Sequence, residues 1–120
     1  MRKLTFLISV FMLLGCSDAI LPEGEPQIVV EGWIEAGGSP VVMVSTTVPV
    51  SDRWQELEPV LESCVVRWAT VSVSDGEQEI FLTGKLNSAY LPPYIYTTSR
   101  MTGEVGKTYK LKVVYSGRTI

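Results

Sequence analysis

The sequence predicts an all-β fold, an immunoglobulin-like or prealbumin-like antiparallel β-sandwich standing after an N-terminal signal peptide. Three observations carry this expectation. Beyond residue 15 the apolar residues recur with period two, in short runs, and no convincing helical periodicity appears. Those runs are rich in valine, isoleucine, threonine and tyrosine, which suit a pleated, half-buried surface. Clusters of glycine, proline, asparagine and aspartate separate them at close spacing, as sandwich turns do.

The chain opens with Arg2-Lys3, a basic flank, followed by Leu4 to Leu14, an apolar run broken only by Thr5 and Ser9. This run is far short of the ~20 residues that span a bilayer. Basic flank, short apolar core and a small residue before the cut match a signal peptide over residues 1–15. Leu13-Leu14-Gly15-Cys16 closes the run as a lipobox. Gly15 is small enough for a peptidase pocket, and Cys16 supplies the thiol that takes a lipid. The plainer reading is an ordinary signal with an incidental cysteine. Ser17 to Pro26 has two prolines, a glycine and three acids, so residues 16–26 read as a lipidated cysteine and its tether. Ten extended residues reach about 35 Å, enough to clear the headgroups.

Residues 27–120 form the expected sandwich domain, of a size that suits one modest core. Gln27 to Ile34 is the first strand, with Ile28, Val30 and Ile34 on one face and Val29, Glu31 and Trp33 on the other. Gly32 marks a bulge or a close approach. Ala36 to Ser39 turns, and Val41 to Thr47 returns as its hairpin partner. Val48 to Ser63 breaks the alternation with two prolines, several charges and an isolated Trp54. It is expected as a long loop, with Asp52 and Gln55 able to cap one helical turn.

Val65 to Ser74 is the cleanest strand, Ala69, Val71 and Val73 alternating with Thr70, Ser72 and Ser74. Asp75-Gly76 is a tight turn, and Glu79 to Thr83 comes back antiparallel. Gly84 to Pro93 is expected as turn, and Tyr94 to Thr98 as a short strand at a sheet edge, given the prolines before it. Thr108 to Tyr115 alternates again, Tyr109, Leu111, Val113 and Tyr115 against Lys110 and Lys112. Arg118-Thr119-Ile120 begins a further strand, making six and the start of a seventh. The sandwich is expected to be incomplete at its C-terminal edge, as in a fragment of a longer protein.

The formal net charge is −3, and −5 once Arg2 and Lys3 leave with the signal. An acidic surface argues against nucleic acid and offers no polybasic membrane patch. With Cys16 carrying lipid, Cys64 has no partner for an intrachain disulfide, and beside Val65-Val66 it reads as a small buried hydrophobe. The chain contains no histidine, no serine in a nucleophile-elbow context and no base beside Cys64. The pairs Glu56/Glu58 and Glu77/Glu79 read as solvated surface. Asp75, Glu77 and Glu79 place oxygens at spacing two, but the Asp-Gly turn explains Asp75 without a cation. No catalytic residue, metal site or cofactor is expected.

The aromatics divide in two. Trp33, Trp68, Tyr109 and Tyr115 lie in alternating strands, where core packing or sheet cover accounts for them. Trp54 stands in the long loop, and Tyr90, Tyr94 and Tyr96 gather around Pro92-Pro93. Trp54, Tyr90, Tyr94 and Tyr96 are the candidate binding surface; packing over the sandwich edge is the plainer alternative.

The lipobox, Ile28-Val29-Val30-Glu31-Gly32-Trp33-Ile34, Ser45-Thr46-Thr47-Val48-Pro49, Ala69 to Gly76 and Gly106 to Val113 follow one another in an order and spacing that carry a resemblance. The chain resembles the N-terminal part of the Bacteroidetes lipoprotein family called domain of unknown function 4249, over nearly all of residues 16–120. The resemblance implies a lipid anchor at the cell outer membrane and a non-enzymatic role as accessory or ligand-binding partner of a TonB-dependent transporter. It implies no catalytic residue. The residues leave two alternatives open: a structural surface protein such as a fimbrial or adhesin subunit, or an inactive truncated fragment.

Overall fold

The computed structural model describes residues 24–48 and 57–120. The signal segment, Cys16 and the tether up to residue 23 lie outside the described residues, as does Trp54. Two four-stranded antiparallel sheets face each other, as the alternation predicts. The strands are β1 (Ile28–Trp33), β2 (Val41–Thr46), β3 (Thr70–Ser74), β4 (Glu79–Phe81), β5 (Thr83–Leu86), β6 (Tyr94–Thr97), β7 (Lys110–Tyr115) and β8 (Arg118–Thr119). A short helix, α1 (Leu57–Ser63), lies between β2 and β3. The first sheet has the order β1-β2-β6-β5 and the second β4-β3-β7-β8.

The core sits between the sheets. Val42 and Val44 of β2, Val71 and Val73 of β3, Ile80 of β4, Tyr96 of β6 and Val113 of β7 are all buried there, joined by Leu82 and Met101. Val42 and Val44 in β2, and Val71 and Val73 in β3, keep period-two spacing, so the register that buries one of each pair buries the other. Burial of such a side chain contributes about 1.5–3 kcal/mol. Gly32 of β1 faces this core, and a methyl there would crowd Leu111 and Val42 at 3.2 and 3.3 Å. The close approach is by side chains and needs no bulge.

Four expectations are corrected. Glu79 to Thr83 is not one strand. Leu82 still donates to the Val71 carbonyl at 2.8 Å, after which the chain leaves the second sheet and β5 joins the first. Gly84 to Leu86 is therefore strand, where turn was expected, because the rim between the sheets needs a continuous chain that switches partners. As a result β6 is interior, paired with β2 on one side and β5 on the other, and not an edge. Pro92 and Pro93 precede it, so no ladder N–H is missing within it.

The fourth correction is α1, which stands where the end of the Val48 to Ser63 loop was expected. Pro59 stands at its third residue, where the backbone N–H has no intrahelical acceptor, so proline costs little. Ser63 Oγ donates to the Val60 carbonyl at 2.7 Å and closes the last turn. No helix among the described residues is long and apolar enough to cross a membrane.

Candidate functional site

After α1 the chain must cross from the first sheet to the second before β3 begins. Its first part runs alongside β2: Thr46 N–H donates to the Cys64 carbonyl at 2.8 Å and Val66 N–H to the Val44 carbonyl at 2.9 Å. Cys64 and Val66 are buried there, Cys64 as a free thiol. The rest of the crossing, Val66 to Ala69, is fastened by two tyrosines of β6. Tyr96 is 2% exposed. Its hydroxyl donates to the Val66 carbonyl at 2.6 Å and accepts from the Ala69 N–H at 3.2 Å. Burial raises its pKa above the ordinary phenol value, with the Ala69 N–H pulling the other way.

Tyr94 stands on the same face two residues earlier. Its ring meets that of Tyr96 edge-on, with centroids 5.5 Å apart and planes at 79°. Its hydroxyl makes a long 3.5 Å contact to the Arg67 carbonyl, and the Arg67 guanidinium carbon lies 5.7 Å from the ring centroid. A cation over an aromatic face at an exposed site contributes about 0.5–1 kcal/mol. Gly84 of β5 lies beneath the Tyr94 hydroxyl, and any larger residue there would collide with it.

Between these anchors Trp68 points into solvent at 90% exposure. A tryptophan so exposed, on backbone held at Val66, Arg67 and Ala69, is the feature of this molecule least explained by folding. Leu86, the cross-strand partner of Tyr94, is also exposed, at 69%. Arg67, Tyr94 and Leu86 thus gather at the rim of the sandwich, with Trp68 exposed next to Arg67 in the chain.

The expected aromatic surface is only partly brought together. Tyr96 is a core residue and presents no surface, which corrects its place in that set: its hydroxyl is needed inside, on Val66 and Ala69. Tyr94 is half-buried and belongs with Arg67 and Leu86 at the rim. Tyr90 lies elsewhere. Its ring packs 5.8 Å from Trp33 at 46°, and alternation with core-facing Gly32 puts Trp33 on the outer face of the first sheet. Ile95 shares that outer face and is 3% exposed. Trp54 and Cys16 lie outside the described residues.

Trp68 was missed as a surface residue because Val65 to Ser74 reads as a single strand. The signal was present. Trp68 is in phase with Thr70, Ser72 and Ser74, the polar face, and out of phase with Val71 and Val73.

Two hollows elsewhere are lined in part by aromatic residues. One, of about 210 Å³, lies between α1 and the β5–β6 loop and is lined by Glu58, Glu62, Tyr90 and Pro93 among others. The other, of about 120 Å³, opens between β1 and β7 and is lined by Trp33, Val42, Val73, Tyr109 and Leu111 among others. Asp75 and Glu79 are engaged in the fold. Asp75 Oδ1 accepts from the N–H groups of Glu77 and Gln78, both at 3.0 Å, and these bonds hold its pKa below the ordinary aspartate value. Glu79 accepts from the buried Ser72 hydroxyl at 2.6 Å. Among the described residues no three metal-ligating side chains cluster.

A family model described as domain of unknown function (DUF4249) matches residues 18–120. No curated protein and no solved structure matches the chain.

Proposed function

Because the chain belongs to the DUF4249 family of domains of unknown function, we propose that it is a non-enzymatic binding module lipid-anchored at the cell outer membrane, accessory to a TonB-dependent transporter there. The single observation that carries the binding role is Trp68, which stands 90% exposed on a crossing segment fastened by Tyr94 and Tyr96. An aromatic fixed in this way loses little conformational freedom on docking. The lipobox ending at Cys16 and the acidic tether after it support the anchoring. The absence of histidine supports a role without acid–base chemistry.

Affinity capture of the full chain from solubilised membranes of its own host tests this. The transporter is expected to co-purify with the parent chain and to be lost with Trp68→Ala. Equal recovery with both chains would count against Trp68 as the contact, and no transporter with either would count against the partnership.

A structural surface subunit is the second reading. It is favoured by the β1 side of the sandwich, where β8 pairs with Val114 and Tyr115 of β7 and the hollow at Leu111 and Tyr109 opens beyond them. Strand exchange there would make the chain polymerise, which sedimentation of the full chain would reveal.

A further inference from the structure

We propose that the free edge of β5 is a strand-addition site for an extended peptide of alternating acidic and apolar side chains. This rests on the binding-module reading and gives its partner a chemistry. β5 is the terminal strand of the first sheet. Asn87 N–H donates to the carbonyl of Pro93 directly opposite, at 3.0 Å, which makes that a hydrogen-bonded pair. Alternation makes Lys85–Ile95 and Thr83–Thr97 the next such pairs. Gly84 and Leu86 therefore turn their N–H and C=O groups away from β6, towards the open edge. Among the described residues no other backbone pairs with them, so an incoming strand finds two residues of unpaired backbone in the right spacing.

The side chains select what pairs there. Lys85 is exposed on the outer face of the sheet, while Leu86 is exposed on the other face beside Tyr94 and the Arg67-Trp68 segment. Among the described residues neither Lys85 nor Arg67 has a carboxylate within salt-bridge distance, the one pair being Lys107–Glu104. A strand laid on this edge places one residue opposite Lys85 and the next opposite Leu86. An acid in the first place and an aliphatic side chain in the second complement both, and cross-strand pairs of this kind contribute about 0.2–1 kcal/mol each. The other edges fit such a peptide less well. β1 carries Glu31, β4 carries Glu79, and β8 has two residues.

The test uses the full chain in detergent and two labelled synthetic peptides, one alternating valine and glutamate, the other valine and lysine, read by fluorescence anisotropy. The valine–glutamate peptide is expected to bind about fivefold more tightly, and Lys85→Glu to cancel or reverse that preference. Leu86→Pro removes an outward N–H that no ladder bond uses and is expected to weaken binding about tenfold. Should Leu86→Pro unfold the chain, Lys85→Glu, a surface change, decides alone. Equal affinity for the two peptides, or a preference untouched by Lys85→Glu, overturns the inference. Self-association of the chain in place of peptide binding also overturns it, with the edge then belonging to a second copy. If neither peptide binds while Trp68→Ala still abolishes transporter capture, strand addition fails and the binding-module reading stands. If the peptide binds as described and Trp68→Ala captures normally, the reverse holds.

Discussion

Tyr96 and Trp68 have opposite relations to the fold. Tyr96 fills the core, and its hydroxyl satisfies a carbonyl and an N–H that the crossing segment would otherwise leave unpaired. Tyr96→Phe removes both bonds without emptying the ring's place, and is expected to cost about 1–3 kcal/mol in a urea melt. Trp68→Ala removes a side chain that packs on little, and should leave stability within about 0.5 kcal/mol of the parent. Asp75 gives a pH dependence. Its folded pKa is depressed by the N–H groups of Gln78 and Glu77, so its contribution is present above the unfolded value of 3.8 and lost as pH falls through the folded one. Melting temperature is expected to fall more between pH 4 and pH 2 in the parent than in Asp75→Asn. Parallel curves would show that the turn bonds carry no such linkage.

The elements were legible in proportion to how far local pattern decides them. β1, β2, β3, β6 and β7 follow from alternation and β-branched composition, and the Asp75-Gly76 turn sets the β3–β4 pairing, with Gly76 at φ +94°. β5 was not legible. Thr83-Gly84-Lys85-Leu86 has neither alternation nor β-branched content beyond one threonine, and it is a strand because β6 offers an edge and the chain must change sheets at Leu82. α1 was hidden by Pro59, which reads as a breaker unless it is known to fall in a first turn. Gly103 shows the same limit. It reads as an ordinary turn glycine, yet a Cβ there would run into the Glu35 carbonyl, where Gly37 and Gly103 exchange bonds with the opposite loop. Gly103→Ala is expected to destabilise by about 1–3 kcal/mol through that overlap, measurable by chemical denaturation.

At the scale of the whole molecule, the fold class was readable and the site only in part. Two facing sheets follow from the strands, but which aromatics reach the surface depends on where the chain crosses between sheets, and no local pattern encodes that. Tyr94 and Tyr96 look equivalent around the prolines and end with different exposures. Trp68 looks like strand cover and ends in solvent. The anchor is a separate matter of sequence. Cys16→Ser is expected to leave the melting temperature of residues 27–120 unchanged and to move the chain from the membrane fraction to the soluble one; retention on membranes after a high-salt wash would contradict the lipobox reading.

The central claim is that Trp68, on its crossing segment, is the contact by which an envelope-anchored module meets its transporter. Photocrosslinking states it most directly. A photoreactive phenylalanine analogue is placed at position 68 of the full chain, and in a control at position 81, where Phe81 is also exposed but lies on the other sheet. Irradiation of intact cells of the native host, followed by mass spectrometry, is expected to yield an adduct to an outer-membrane transporter from position 68 and none from position 81. An adduct from position 81 alone, or none from position 68 in chains shown to be membrane-bound, would contradict the account.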